Sequence, residues 1–356
     1  MALLKFLKKK DKNKVPKGFF SIRILKVTRL TSKSVKIEFD IPESAVPKFG
    51  YTPGQYLDFS FQIEGAEHRR SYSICSAKNE TLAIAVKEME NGTVSKWFNR
   101  EAKAGDEVYC TPPNGLFTLE SQHKNIVAFA AGSGITPILS MAKNLENNDG
   151  KLTLFYGNRS KSTSIFLDEL ESLKNTTTTL FFSGEKVDGT LSGRITGDSV
   201  SEQVKANLEL LKADAFFLCG PIQMIESVRE KLIEFGVSES KIKRELFSAP
   251  VEDKKKSKVT ANEIGSKVKV ILDGDEVVLN YKPKGKGILE MLDGEGFDAP
   301  YSCRGGVCST CKAKVLEGSA DMKLNYVLTD QEVEDGFILC CQAIPTSENV
   351  TISFDE

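Results

Sequence analysis

Between residues 18 and 119 the apolar positions recur in short runs separated by Pro and Gly: FSIRILKV, KSVKIEFD, YLDFSFQ and TLAIAVKE. Short, alternating, β-rich runs with turn residues between them are strand signals. Their even spacing predicts an antiparallel β-barrel. After Gln122 the pattern changes. NIVAFAA, KLTLFYG, TTTTLFFS and DAFFLCG are unbroken apolar or β-branched runs, each followed by a stretch of helical type such as ITPILSMAKNLE or PIQMIESVREKLIEF. Strands covered on both faces lose their alternation, so residues 120–250 predict an α/β doubly wound parallel sheet. Residues 251–264 are charged and aperiodic and read as a linker. At 265 a third, small unit begins, with KVKVILDGDEVVLN predicting a hairpin that turns at Asp273-Gly274.

Charge refines this picture. The chain of 356 residues carries a formal net charge of −1, which suits two or three soluble globular domains. The charge is unevenly spread. Residues 1–17 hold seven Lys against one Asp, whereas residues 265–356 hold sixteen Asp and Glu against nine Lys and Arg. A basic tail with an acidic C-terminal unit argues against a nucleic-acid protein and predicts electrostatic docking of a partner on that unit. No apolar run approaches the ~20 residues of a membrane span. MALLKFLKKKDKNK has its charges on the wrong side for a secretion signal. It reads as a solvated tail, the alternative being a short basic amphipathic helix on an anionic membrane surface. Without a secretion signal, the eight cysteines belong in a reducing cytoplasm and point to metal or redox chemistry.

CRGGVCSTC places Cys303, Cys308 and Cys311 at C-x₄-C-x₂-C, the plant-type [2Fe–2S] spacing. Gly305, Gly306 and Ser309 are small enough for backbone N–H groups to approach the sulfurs. Zinc favours paired C-x₂-C knuckles, which this loop is not. The fourth ligand is Cys340 or Cys341. Neighbouring side chains of an extended segment point to opposite sides, so only one can reach the cluster. The unit resembles plant-type ferredoxins, whose last cysteine follows the third by thirty positions. That resemblance implies Cys341 as ligand, Cys340 as a small packing residue, and an α+β (β-grasp) fold. With only His68 and His123 in the chain, the sequence argues against a His-ligated Rieske centre and for an oxygen-activating metal in another protein.

Upstream, HRRSYSICS contains Arg70, Tyr72 and Ser73 as R-x-Y-S. A planar cation suits phosphate, an aromatic face suits a flat ring, and a hydroxyl both donates and accepts. NGTVSKWF offers Gly92 and Ser95 where a helix opens, a place that suits a pyrophosphate. GSGITP brings Gly132, Gly134 and Thr136, with Pro137 in a first helical turn. YGNR, CGP with Cys219, and Glu245-x-Phe247 follow. Together these motifs resemble the ferredoxin–NADP reductase superfamily, and the resemblance extends over residues 18–356. It implies Arg70 on a flavin phosphate, Tyr72 against the isoalloxazine, and Gly92 and Ser95 on the pyrophosphate of FAD rather than on FMN. It further implies Gly132 and Gly134 beside the nucleotide diphosphate, Thr136 and Cys219 flanking the nicotinamide, and Phe247 near the flavin. Ser73 and Cys219 become the positioning groups of the hydride step.

A carboxylate at the second strand marks an NAD site, whereas a cation suits a 2′-phosphate. GNRSKS has Arg159 and Lys161 and no acid, with Arg194 further on, which favours NADPH over NADH. The order of flavin, nucleotide and ferredoxin units resembles the reductase components of bacterial oxygenases. It implies electrons passing from NADPH through FAD and a [2Fe–2S] cluster to an oxygenase component in another protein, docked on the acidic ferredoxin domain. Other acceptors are the alternative: a Rieske or diiron oxygenase, or broad acceptors of a flavin reductase. The electron-transfer subunit of dihydroorotate dehydrogenase shares the first two units but spaces its last cysteine closer to the third. A non-catalytic Fe–S sensor would need no hydride path.

Overall fold

The computed structural model describes residues 15–247, 265–282 and 286–356. The basic segment up to residue 14 and the expected linker lie outside these residues. Phe19–Phe247 form one unit, and the residues from 265 onward belong with 15–18 to a second.

In the first unit, strands β1 (Phe20–Thr31), β2 (Ser34–Asp40), β3 (Tyr56–Ile63), β4 (Ala66–Ser73), β5 (Ala83–Lys87) and β6 (Glu107–Cys110) pair antiparallel in the order β4-β3-β6-β1-β2-β5. An Ile74–Ile84 bridge joins the two ends and closes the sheet into a barrel. Closure removes the edges that an open sheet would expose. The interior is filled by Ile22, Ile24, Leu57, Phe59 and Ile84, all at most 1% exposed. Helix α1 (Thr93–Arg100) lays Phe98 edge-on against Phe59 at 5.6 Å and Tyr72 at 5.5 Å. An aromatic cluster of this kind fixes ring planes as well as burying area.

The remaining part of the unit is a parallel sheet of β7 (Asn125–Ala131), β8 (Lys151–Asn158), β9 (Thr176–Phe182), β10 (Leu191–Ser192), β11 (Ala215–Cys219) and β12 (Ile242–Glu245) in the order β10-β9-β8-β7-β11-β12. Helices α2 (Ile135–Glu146), α3 (Leu167–Ser172), α4 (Gly197–Ala206) and α5 (Ile222–Glu234) form the connections. The strand order reverses between β7 and β11. In sheets of this kind the crevice outside the carboxyl ends at such a reversal binds ligand. Barrel and parallel sheet meet along a polar seam. The Ser76 carbonyl accepts from the Tyr51 hydroxyl at 2.9 Å and the Ser140 hydroxyl at 2.7 Å. Lys143 on α2, its side chain 11% exposed, bridges Glu80 at 3.1 Å and Glu169 at 2.7 Å.

In the second unit, β13 (Ser266–Leu272), β14 (Asp275–Tyr281), β15 (Lys312–Glu317), β17 (Phe337–Leu339) and β19 (Asn349–Ser353) form a sheet ordered β14-β13-β19-β15-β17, with β16 (Ala320–Met322) and β18 (Ala343–Pro345) as a separate pair. Only β13 and β19 run parallel; the other pairs are antiparallel. The β13–β14 turn puts Asp273 at φ 55° and Gly274 at φ 77°, the doubly left-handed turn that an Asp-Gly pair predicts. Helix α6 (Ile288–Gly294) buries Ile288, Leu289 and Leu292.

Candidate functional site

The expected hydride residues converge at the switch point. Ser73 ends β4, Cys219 ends β11 and Glu245 ends β12, where Cys219 and Glu245 are register partners. The Ser73 hydroxyl donates to Glu245 Oε2 at 3.2 Å, and the Cys219 thiol lies 3.9 Å from the same oxygen. Ser73 is 5% exposed and Cys219 fully buried. Burial pushes the Glu245 carboxyl up to about 8, against the opposing hydrogen bonds from Ser73 and Cys219. Burial, then the Glu245 charge and its hydrogen bond, hold the Cys219 thiol well above its usual value, so this sulfur is a neutral S–H. The pair can therefore hold a proton near neutral pH without placing a thiolate beside the ring of a nucleotide. The Tyr72 phenol is likewise raised by burial.

The GSG turn sits next to these groups. Gly132 has φ 56°, a left-handed conformation that glycine adopts freely. Gly134 answers a packing demand instead: a Cβ there would lie 2.1 Å from the Cys219 carbonyl oxygen. The missing side chain lets α2 start directly against the end of β11. Thr136, 2% exposed, donates its hydroxyl to the Ser133 carbonyl at 3.0 Å and closes the turn. Lys87, at the end of β5, brings its ammonium within 3.8 Å of the place where a Gly132 Cβ would stand. No motif marks that cation.

The other flavin and nucleotide candidates are placed as follows. Arg70 is exposed, with one guanidinium N–H donated to the Arg69 carbonyl at 2.6 Å. The buried cation is its neighbour Arg69, 3% exposed and paired with Glu67 at 2.7 Å. Gly92 is the N-cap of α1, which has no side-chain cap and no acid in its first turn. Such a helix start fits a pyrophosphate. Ser95 spends its hydroxyl within the turn, accepting from Met89 N–H at 3.1 Å and donating to the Gly92 carbonyl at 3.3 Å. Arg159 is exposed past the end of β8, and Phe247 is 45% exposed. None of Arg70, Gly92, Arg159 and Phe247 makes a hydrogen bond to the Ser73–Glu245–Cys219 group. Glu245, which the motif marks only as the partner of Phe247, is the residue that ties Ser73 to Cys219.

In the second unit the four cysteines form two facing pairs. The Cys308 thiol points to Cys303 Sγ at 3.0 Å, and Cys311 and Cys341 are hydrogen-bonded to each other. Two irons with two thiolates each match that donor set. The Cys303 thiol is pulled down to about 6 by Cys308, against its burial and with help from the N–H groups of Gly305, Val307 and Cys308. Gly305 N–H lies 3.4 Å from that sulfur. Cys341 is likewise lowered, first by Cys311. Cys303 and Cys341 are the lowered member of each pair, whereas Cys311, hydrogen-bonded to Cys341, is raised; sulfurs that share protons in this way, with backbone donors around them, fit a cluster. Cys340 faces the other way, fully buried, with its thiol raised by burial. Its carbonyl accepts from Leu289 N–H at 2.9 Å. Gln342 donates to the Arg304 carbonyl at 3.0 Å and pins the cluster loop to the last cysteine's segment. Arg304 itself stacks 3.9 Å over the Tyr301 ring and pairs with Asp293.

Three stretches of the chain match known domain families. Residues 21–119 match an oxidoreductase FAD-binding domain, residues 129–230 an oxidoreductase NAD-binding domain, and residues 270–346 a 2Fe-2S iron-sulfur cluster binding domain. The chain is 34% identical to a subunit of 1,2-phenylacetyl-CoA epoxidase from Escherichia coli, over 95% of this chain and 98% of the relative. It is 30% identical to the ferredoxin reductase component of 3-ketosteroid-9-alpha-monooxygenase from Rhodococcus rhodochrous, over 96% and 99%. Among solved structures, phthalate dioxygenase reductase superposes with a TM-score of 0.58 at 25% identity, covering 95% of this chain and 98% of that one. The barrel, the switch point and the paired cysteines thus belong to a member of the ferredoxin–NADP reductase superfamily with a C-terminal plant-type [2Fe–2S] domain, an NAD(P)H-dependent reductase of the kind that supplies electrons to oxygenases.

Proposed function

We propose that this chain draws electrons from NADPH and delivers them to an oxygenase of the phenylacetyl-CoA epoxidase type. The observation that carries the reading is the meeting of Ser73, Glu245 and Cys219 at the switch point of a chain that also pairs four cysteines. A bound FAD and [2Fe–2S] cluster supply the conversion of a two-electron hydride donor into single electrons. The chain positions them. Tyr72, its ring plane fixed by Phe59 and Phe98, offers a face to the isoalloxazine, and Arg70 reaches for a flavin phosphate. The open start of α1 at Gly92, closed from within by Ser95, receives the pyrophosphate. Ser73 presents a hydroxyl whose orientation Glu245 controls, while Cys219 and Thr136 flank the nicotinamide. Gly132 admits the nucleotide diphosphate, Arg159 takes the 2′-phosphate, and Phe247 shields the flavin. Cys303, Cys308, Cys311 and Cys341 hold the cluster. The functional domains are 18–119, 120–250 and 265–356.

The choice of oxygenase rests on the near full-length likeness to the phenylacetyl-CoA epoxidase component. The steroid monooxygenase reductase, at 30% identity, favours as a second reading an oxygenase of another class. Docking is assigned to the acidic unit, whose sixteen carboxylates face nine cationic side chains in the sequence. A reducing cytoplasm is supported by eight cysteines, none of them paired in a disulfide. Among the described residues no helix is long and apolar enough to cross a membrane.

The test is anaerobic titration of the holoprotein with NADPH and NADH, followed by electron delivery to candidate oxygenases at rising salt. Flavin and cluster should both bleach, with NADPH preferred. Delivery to the true partner should weaken as salt rises, since exposed charges are screened over about 8–10 Å at physiological ionic strength. Delivery independent of salt would remove the acidic face from the account. A flavin that neither nucleotide reduces would overturn the whole reading.

A further inference from the structure

We propose that Gly184 sets the nucleotide preference by seating Arg159, an inference that rests on the NADPH reading above. Strands β8 and β9 pair in register as far as Asn158 and Phe182. Hydrogen bonding continues past both ends. Ser183 N–H donates to the Asn158 carbonyl at 3.0 Å and Gly184 N–H to the Arg159 carbonyl at 2.8 Å. Residue 184 is therefore fixed alongside Arg159 at the carboxyl edge of the sheet, the edge from which such folds bind nucleotides. A Cβ at position 184 would lie 2.8 Å from Arg159 Cγ, 2.9 Å from its carbonyl oxygen and 3.5 Å from its Nε. Gly184 is not one of the glycines with positive φ, so its backbone conformation makes no demand for glycine. The demand comes from Arg159, whose Cγ and carbonyl oxygen both crowd the place of a Cβ.

The neighbouring residue is the acid an NADH site would use, and here it is held back against the chain. Glu185 is an acid that the motif GNRSKS does not contain, and it stands one position past Gly184 at the same edge. A carboxylate there suits the ribose hydroxyls of NADH. In this chain it accepts from Lys161 N–H at 2.6 Å, in the turn that Ser160 and Thr163 close with reciprocal hydrogen bonds. One of its two carboxylate oxygens is thereby tied to the backbone of the Arg159 loop. The guanidinium that remains offers paired N–H donors to a phosphate, and a side chain at 184 would tilt it off its seat. Gly184 is thus a positioning residue that acts through Arg159.

The experiment is a double-mutant cycle on the full-length holoprotein with Gly184→Ala, Arg159→Ala and both together. It reads kcat and KM for NADPH and NADH with ferricyanide as electron acceptor. The wild type is expected to prefer NADPH. Gly184→Ala should lower kcat/KM for NADPH about tenfold, through KM, and leave NADH within about twofold, with an unchanged flavin spectrum. In the Arg159→Ala background the same substitution should no longer separate NADPH from NADH, since only the backbone contact at the Arg159 carbonyl remains. If Gly184→Ala keeps the preference while Arg159→Ala loses it, the inference falls and the NADPH reading stands. Equal losses for both nucleotides also sink it. A wild type without NADPH preference sinks both. Should Gly184→Ala fail to accumulate, recovery of holoprotein by the double variant supports the clash with Arg159, and failure of the double variant as well overturns it.

Discussion

Ser73, Cys219 and Glu245 come from three strands, the first separated from the last by 172 residues, and they meet through one hydrogen bond and one longer thiol contact. Cys303, Cys308 and Cys311 share a single loop and need one further residue, Cys341. The proposed hydride site therefore depends on packing: shifting the barrel against the parallel sheet separates Ser73 from Glu245 without touching either. The cluster site depends on identity, because its geometry is local and its sulfurs are irreplaceable. The two should fail in different ways, and that difference can be tested from the largest effect downward.

Cys341→Ser should abolish cluster absorbance and delivery of electrons to an oxygenase, while NADPH still bleaches the flavin. Cys340→Ser should leave the cluster spectrum intact. Anaerobic visible spectra of the two variants decide it, and a cluster that survives the first but not the second reverses the assignment. Next in size comes Gly134→Ala. Its methyl would sit 2.1 Å from the Cys219 carbonyl oxygen, so α2 or β11 must move. Overpacking of this kind costs about 1–3 kcal/mol. The urea midpoint should fall and flavin reduction should slow, with the cluster spectrum unchanged.

The smallest expected effect, about 1.4 kcal/mol for each pH unit, is a pH slope. The Glu245 carboxyl is raised from 4.5 to about 8, so the folded chain binds that proton more tightly than the unfolded one. The stability it contributes is present at low pH and is lost progressively as pH rises between those two values. The loss is on the order of 5 kcal/mol across the whole window, and above it the contribution is level. Glu245→Gln should flatten the slope, as seen in urea midpoints from about pH 5 to pH 9. An unchanged slope would place the proton elsewhere.

Local chemistry was legible in the sequence and tertiary demands were not. The C-x₄-C-x₂-C loop and the Asp-Gly hairpin announce themselves because their geometry lies within a few residues. The switch from barrel to parallel sheet shows in the loss of alternation after Gln122. By contrast β6, with four residues, is too short to carry a period. Glu245 gains its role only from its register opposite Cys219, and Glu185 only from a loop that returns to Lys161. Gly134 and Gly184 look like turn glycines, yet each is set by what would touch a methyl there. In HRRSYS the motif singles out Arg70, while the structure buries Arg69.

The polar seam between barrel and parallel sheet bears on where this protein can be cut. The Ser76 carbonyl is shared by a barrel hydroxyl and an α2 hydroxyl, and Lys143 holds one carboxylate from each side. Severed between them, Lys143 keeps Glu169 but loses Glu80, and the Ser76 carbonyl loses the Ser140 hydroxyl. Residues 19–247 should accordingly melt in a single calorimetric transition, and either half expressed alone should fail to fold. Modular as the chain is in its chemistry, the first two modules are one piece of matter.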